Sequence, residues 1–430
     1  MKIIVVGAGI AGLASSHYLS KQGHDVSLYE SSSRAGGRAI TLKRPDNDDR
    51  CDAGSQYFHS SYKRALKLID ETALSANLKK VTGCTRFFNS QQKSDFFDLH
   101  HRYPWIKPIG FRRNIDLAMF IFKQLSHYQI DPYKINQDHL CDHKSISEIT
   151  SNPDVIKYIV KPLTLAGGLS LPDPDNISQL HLIRLIKIVI SSDYLCLTTG
   201  NSALHDKLAK NLDIHYENPV ERLIEQNNRI IGIELANGNR IEKADHVVVA
   251  VPPPCAAEIL PDDWQQEVSF LKNIQIPPFT LINFFLDRPL EKNIWSYMMP
   301  DKQTDIMMCT DAAQKNPLAV PSGKSILQAW PCYPASQAFA NKSDDDLINI
   351  CINELKDYFP KLAEWTESTK VTRHKYGVPQ FTLHHNQDAS SFLKTVRKRN
   401  GISFCGDYLT GGYMESALWS AETVAANLVK

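Results

Sequence analysis

The run Lys2-Ile3-Ile4-Val5-Val6-Gly7-Ala8-Gly9-Ile10-Ala11-Gly12-Leu13-Ala14 constrains the fold of this 430-residue chain more than any other feature. Its β-branched residues predict a buried strand at 2–6 that runs through G-x-G-x-x-G into a helix at about 11–22. That order makes a dinucleotide site for physical reasons. Gly7 permits the tight turn, Gly9 lets backbone approach a pyrophosphate, and Gly12 lets the helix pack close to the strand. The first helical amides, at Ile10 and Ala11, and the positive end of the helix dipole then face the diphosphate. A second strand, Asp25–Tyr29, ends in Glu30, 18 positions after Gly12. This is close to the roughly 20-residue spacing of a carboxylate that grips a ribose.

Which dinucleotide binds is decided by segments further along the chain. Gly36 and Gly37 beside Arg38 make a second backbone nest with a fixed cation, suited to the far end of an extended cofactor. Asp52-Ala53-Gly54-Ser55-Gln56-Tyr57 comes shortly after. Near the C-terminus, Gly401–Asp407 reads as a short buried strand ending in Gly406-Asp407, and Thr410-Gly411-Gly412-Tyr413-Met414-Glu415-Ser416 leads into a closing helix, Ala417–Val429. Between these ends, Asp213–Ile224 precedes a hairpin with Asn227-Asn228 and Asn237-Gly238 turns, and Ala244–Pro252 is a continuous apolar strand of the kind a doubly wound sheet requires. Thr199–Leu204 is a glycine-led turn before a helix at Leu204–Asn211.

With Gly7, Gly9, Gly12, Glu30, Gly36, Gly37, Arg38, Gly54, Tyr57 and the G-Y-M-E stretch in place, the chain resembles the flavin-containing amine oxidase superfamily, which includes monoamine and polyamine oxidases, protoporphyrinogen oxidase and phytoene-type desaturases. The resemblance implies an α/β fold in which a discontinuous Rossmann-type domain binds FAD and a second α+β domain binds substrate. It places Gly54, Ser55, Gln56 and Tyr57 beside the isoalloxazine, Val220 against the adenine, Gly406 and Asp407 at the diphosphate or ribityl chain, and Met414 and Ser416 in the helix start that faces the flavin pyrimidine ring. Helix amides there stabilise negative charge on a reduced flavin. The implied reaction is hydride transfer from a substrate carbon, held within about 3–3.5 Å, to flavin N5, with later reoxidation by dioxygen or another acceptor.

Tyr413 is the main catalytic-pocket candidate, since it matches a tyrosine whose ring face orients an amine in monoamine oxidases. Tyr57, Trp330, Tyr333, Tyr376 and Phe381 are further lining candidates. Two departures from the amine oxidase pattern stand out. Phe279–Phe285 offers no lysine where many amine oxidases hold a water against N5, which leans toward porphyrinogen oxidase or desaturase chemistry. No cysteine lies near Pro379–Leu383, so the FAD is expected to be held noncovalently. The expected substrate is a small apolar or amine-bearing molecule. The alternatives are a lipophilic substrate of a porphyrinogen oxidase or desaturase, and a flavin-binding scaffold without turnover.

The length, with 43% apolar and 22% charged residues, suits two domains. The expected FAD-binding domain comprises 1–60, 196–260 and 399–430, and the substrate domain 61–195 and 261–398. The first substrate segment reads as mainly helical, at Tyr62–Ala76, Ile115–Leu125, Ser147–Ile149, Asp154–Leu165 and Ser178–Ser191, with a small strand pair at Phe87–Asn89 and Phe96–Leu99. The second carries strands at Thr280–Leu286 and Ser325–Pro331 and an amphipathic helix at Asp344–Tyr358.

A net charge of +1 leaves no electrostatic footprint for nucleic acid. The chain opens on the cofactor strand, no stretch reaches the ~18 apolar residues of a membrane span, and nine scattered cysteines lack C-x-x-C spacing; together these predict a cytoplasmic protein with reduced thiols. Asp138-His139-Leu140-Cys141-Asp142-His143 and His384-His385 carry metal-ligand types, but without clear paired spacing they read as polar loop, and no metal is expected. The apolar faces of Ile115–Phe122 and Leu182–Ile190 are assigned to core packing, with peripheral membrane docking as their other use.

Overall fold

The computed structural model describes residues 1–44, 49–88, 94–98, 106, 109–135, 140–168, 173–236, 240–299 and 305–429. Five parallel strands form its first sheet, in the order Asp213–His215, Asp25–Tyr29, Lys2–Val6, His246–Val249, Ile402–Phe404. Val5 stands opposite Leu28 on one side and Val248 on the other, and Val248 stands opposite Ser403. The C-terminal ends of strands from the beginning, middle and end of the chain therefore meet at one edge. Both faces are covered, which is why the central strands are apolar at consecutive positions. Ile3, Val5 and Val248 pack on one face beneath the helices Ile10–Lys21 and Met414–Asn427. Ile4, Val6, Val247 and Val249 pack on the other, against the antiparallel strands Val220–Gln226 and Arg229–Leu235 and the fully buried Trp264.

The helix Ile10–Lys21 has small residues where it meets the sheet, and Ala11, Gly12, Ala14, Ser15 and Ser16 are all buried. Gly12 permits the closest approach. A Cβ built there would lie 1.8 Å from the Gly7 carbonyl oxygen. Gly7 itself has φ +99°, and its missing side chain leaves room for the Ala250 carbonyl at 2.9 Å.

The second sheet is mixed and seven-stranded, in the order Thr366–His374, Phe279–Leu286, Ser325–Pro331, Ile306–Asp311, Ile294–Met298, Cys84–Phe88, Ser94–Asp98. Every residue of Phe279–Leu286 is buried. The helix Asp344–Leu355 covers part of this sheet with Leu347, Cys351 and Leu355. Ser343 caps that helix by accepting from the Asp346 amide at 3.2 Å, and three aspartates fill the first turn, where they complement the dipole. A helical cluster of Gly110–Leu125, Pro153–Gly168 and Gln179–Ser191 encloses a further core of Leu117, Ile121, Ile159, Leu182 and Ile186.

Several expected boundaries change. The helix expected at Tyr62–Ala76 is Lys63–Glu71, stopped before Ala73, whose φ of +57° takes it out of helical space. The helix expected at Asp154–Leu165 contains a π-turn at Ile156–Val160 just before Pro162, which cannot donate to the regular ladder. The small strand pair is Cys84–Phe88 with Ser94–Asp98, and it forms the edge of the seven-stranded sheet instead of standing apart; Asn89 and Leu99 lie outside the described residues. The expected strand Ala244–Pro252 shortens to His246–Val249 because Pro252 and Pro253 open a helix, Pro253–Ile259. The Asn227-Asn228 turn is present with both φ angles positive, whereas Asn237-Gly238 lies outside the described residues. The closing helix begins three residues early, at Met414, so Tyr413 is its N-cap.

Gly12→Ala is expected to lower the folding stability by about 2–3 kcal/mol, because the new methyl collides with backbone that cannot rotate away. Thermal unfolding of the cofactor-free protein would measure this separately from any loss of flavin.

Candidate active site

At the meeting edge of the parallel sheet, Gly9 caps the first helix, and no side chain satisfies the first-turn amides. Among the described residues, nothing beyond Gly9 and its own chain neighbours lies within 4 Å of the position a Gly9 Cβ would take, so open space sits beside a cluster of free N–H donors. Glu30 is fixed next to it. One carboxylate oxygen accepts from the Ala8 amide at 2.7 Å, and the other accepts from the Ser32 amide and hydroxyl at 2.9 and 2.7 Å. The Gly36 amide donates to the Ala8 carbonyl at 2.8 Å, which folds the second glycine nest against the first. Gly37, at φ +53°, reaches within 3.4 Å of the Gly9 Cα by its missing Cβ. Asn218 and Glu217 donate to the Glu30 and Ser32 carbonyls, which sets the start of the Val220 strand beside the same carboxylate. Ile10 and Ala11 complete the helix start.

Arg38 joins this end of the site to the C-terminus. Its guanidinium makes a two-pronged ion pair with Asp407 at 2.7 and 2.9 Å and also donates to the Gly377 carbonyl at 2.9 Å. The Arg38 carbonyl accepts from the Ser55 amide and lies 1.8 Å from where a Gly54 Cβ would stand. Arg34, by contrast, folds back on the carbonyls of Ala35, Gly37 and Ala39 and stiffens its own loop. Gly406 is anchored by its amide to Ser420 Oγ at 2.9 Å. Among the described residues, the helix from Met414 is likewise uncapped by any side chain, and the buried hydroxyls of Tyr413 and Ser416 have no partner. Open space at Gly9, two helix starts with free amides, and orphaned hydroxyls at the second start fit a long dinucleotide spanning both ends of the chain.

Glu415 has a structural task that its motif does not disclose. Its buried carboxylate accepts from the Arg64 and Ala65 amides at 2.9 and 3.0 Å, capping the helix Lys63–Glu71 from 350 residues away. Burial pushes its carboxyl up, while these amides and the Arg64 guanidinium pull it back down.

The loop Asp52–Tyr57 forms the floor of the inner chamber and is held by a lysine that no local motif singles out. Lys315 is buried, and its ammonium donates to Asp52 Oδ2 at 2.9 Å, the Gln56 carbonyl at 2.8 Å and Gln56 Oε1 at 3.0 Å. Gln56 Nε2 returns to the Asp52 carbonyl at 2.6 Å, which Gln328 also reaches at 2.9 Å. Asp311 caps the short helix Ala312–Lys315 that delivers the lysine, accepting from the Ala313 amide and the Ser325 hydroxyl. Burial raises the Asp311 carboxyl to about 6.

Above this floor lies a cavity of about 250 Å³. Gly54, Ser55, Gln56, Tyr57, Gly412, Tyr413 and Met414 line one part of it. Its far walls are Phe87, Tyr158, Ile159, Ile186, Met308 and Trp330, and no Asp, Glu, Lys or Arg lines it among the described residues. Tyr57 packs edge-on to Tyr194 at 4.6 Å and to Trp295 at 6.1 Å, while His59 lies 5.4 Å from it. Burial drops the His59 imidazole to about 3 and lifts the Tyr57 phenol to about 12, so both are neutral across the physiological range. Of the aromatic candidates, Tyr57, Tyr413 and Trp330 reach this cavity. Tyr333, Tyr376 and Phe381 do not line it; Phe381 stacks on His181 instead. Tyr62, Tyr194 and Trp295, not anticipated from sequence, do. Among the described residues no cluster of three or more His, Cys, Asp or Glu side chains is placed to hold a metal; Asp138 and His139 lie outside them.

A family model described as flavin-containing amine oxidoreductase matches residues 10–429. The chain is 23% identical to coproporphyrinogen III oxidase of Bacillus subtilis, covering 96% of this chain and 93% of that one. It is 22% identical to the 15-cis-phytoene desaturase of Glycine max, over 100% and 80% of the two chains. A solved structure of a protoporphyrinogen oxidase homologue from an Exiguobacterium species superposes with a TM-score of 0.77 at 18% identity, over 100% and 98% of the chains.

Lys315→Met is expected to destabilise the protein by about 3–5 kcal/mol, since it strands the Asp52 carboxylate without its counter-charge, and pairing it with Asp52→Asn recovers part of the loss in a double-mutant cycle. Asp311 gives a pH signature. Its folded pKa is raised, so its contribution is fully present below about pH 4 and is lost as pH rises through about 6, amounting to roughly 3 kcal/mol. The melting temperature of Asp311→Asn should therefore gain on the unsubstituted protein between pH 4 and 7; equal pH slopes would count against this assignment.

Proposed function

The chain belongs to the family of flavin-containing amine oxidoreductases and is an FAD-dependent oxidoreductase, and we propose that its substrate is an uncharged, largely apolar molecule from which hydride is removed. The observation that carries this reading is the chamber itself: apolar and neutral polar side chains line it, with no ionised group among the described residues. A protonated amine would enter without a carboxylate to meet it, and the carboxylates of a porphyrinogen would find no cation there. The phytoene desaturase relatives, whose name denotes a hydrocarbon substrate, agree with such a lining.

When bound, FAD supplies a two-electron acceptor for hydride. The residues proposed to hold it are Gly7, Gly9, Ile10, Ala11, Gly12 and Glu30 at the nucleotide end, and Gly36, Gly37, Arg38, Val220, Gly406 and Asp407 along its length. Gly54, Ser55, Gln56, Tyr57, Tyr413, Met414 and Ser416 complete the set at the chamber. The Cys405 thiol is fully buried and beside Ser15. Tyr57 and Tyr413 are proposed to set the substrate carbon against the cofactor with their ring faces, and the surrounding apolar wall excludes water, so the reacting bond is held in a dry, low-dielectric setting. The free amides at Met414 and Glu415 present positive potential to charge arriving at that wall.

Anaerobic mixing of the flavin-loaded protein with a substrate panel tests the proposal. Unsaturated hydrocarbons and neutral apolar compounds are expected to bleach the flavin, and the rate is expected to stay flat from about pH 5 to 10, because neither His59 nor Tyr57 titrates there. Fast bleaching by a diamine, rising with pH as the free base forms, would overturn the apolar reading. Bleaching by no compound class would favour a flavin-binding scaffold.

A further inference from the structure

The helix Gly110–Leu125 is apolar on two sides. Its inner side, with Leu117, Phe120 and Ile121, is buried in the helical core, and Ile121 reaches the cavity wall. Its outer side is not core, contrary to the packing role expected for Ile115–Phe122; by contrast, Leu182, Ile183, Leu185, Ile186 and Ile188 are buried as expected. Phe122 is 77% exposed, Met119 60% and Ile115 38%, and Phe111 shares their face at 69%. At helical spacing these four fall within roughly 80° of arc. Arg112 and Lys123 are exposed along one border of that stripe. Arg113, on another side, is paired with Asp154.

We propose that this face docks on an anionic lipid bilayer, with Ile115, Met119 and Phe122 entering the acyl boundary and Arg112 and Lys123 meeting the headgroups. Charge supports a bilayer as occupant. The helix Gly110–Leu125 carries Arg112 and Lys123, besides the paired Arg113, against one acid, Asp116, in a chain whose net charge is only +1. Size supports it too. Four side chains on one helix cover roughly half of the ~800 Å² that a stable protein–protein contact buries on each partner, whereas an interfacial helix needs only such a stripe. Position supplies a use for the contact, because the same helix that faces outward with Phe122 faces the chamber with Ile121. Only this last link rests on the apolar-substrate reading.

Flotation of the flavin-loaded full chain with two kinds of vesicle is the test. One kind is phosphatidylcholine alone and the other is phosphatidylcholine mixed with phosphatidylglycerol. The protein is expected to float with the anionic vesicles and to lose that association in high salt. Met119→Asp combined with Phe122→Asp is expected to weaken vesicle association at least tenfold, while flavin content and melting temperature, which report folding, stay unchanged. Arg112→Glu with Lys123→Glu is expected to abolish the preference for anionic vesicles. Failure to float with either vesicle, or equal flotation of the Asp double variant, overturns the proposal. So does a concentration-dependent dimer that the same substitutions dissociate without any vesicle binding, which would assign the face to a second copy. The vesicle readout needs no turnover, so a wrong substrate class leaves it intact.

Discussion

Parallel pairing of three remote strands is the constraint on which everything else depends. With Val5 beside Val248 and Val248 beside Ser403, the ends of strands from the start, middle and close of the chain are brought to one edge. Two helices then begin at that edge without side-chain caps, one after Gly9 and one after Tyr413. A single helix start offers a local patch of positive potential. Two starts, with the Arg38–Asp407 pair between the segments that carry them, offer two such patches at one edge.

The inner chamber depends on where charge is placed. Among the described residues, ionised groups are kept out of the cavity lining and set beneath it, where Lys315 and Asp52 neutralise each other and stiffen the loop carrying Gly54 and Tyr57. A lysine buried to this degree is tolerable because its ammonium meets three acceptors. The loop's geometry is thereby fixed by hydrogen bonds behind it, leaving its open side to uncharged groups among the described residues.

Much of the backbone geometry around the first helix start was legible because glycine requirements are local. Gly7 must adopt positive φ, and Gly12 must admit the Gly7 carbonyl, within six residues of sequence. The G-Y-M-E stretch was readable as leading into a helix, although the helix starts within it, at Met414, and the task of its glutamate left no sign. Glu415 caps a helix some 350 residues away, and Lys315 meets Asp52 across 263 positions, so neither role leaves a trace in neighbouring sequence. The chamber walls were hidden for another reason. Tyr194 and Trp295 have the composition of ordinary core, and only the fold decides whether an aromatic residue faces another side chain or a cavity. The helix at 110–125 illustrates the same ambiguity, since apolar residues on two faces of one helix look like a single buried one.

The topology also sets the order in which the parallel strands leave the ribosome. Ile402–Phe404 is the last of them to be made, and until it arrives His246–Val249 has an open edge on that side. The nascent polypeptide must therefore travel for about 150 residues with a hydrophobic ribbon unpaired, the condition under which chaperones are engaged and intermolecular strand addition competes. Coenzyme capture that requires both helix starts cannot precede synthesis of the one at Met414, so the long stretch made between the two starts must fold without help from that ligand.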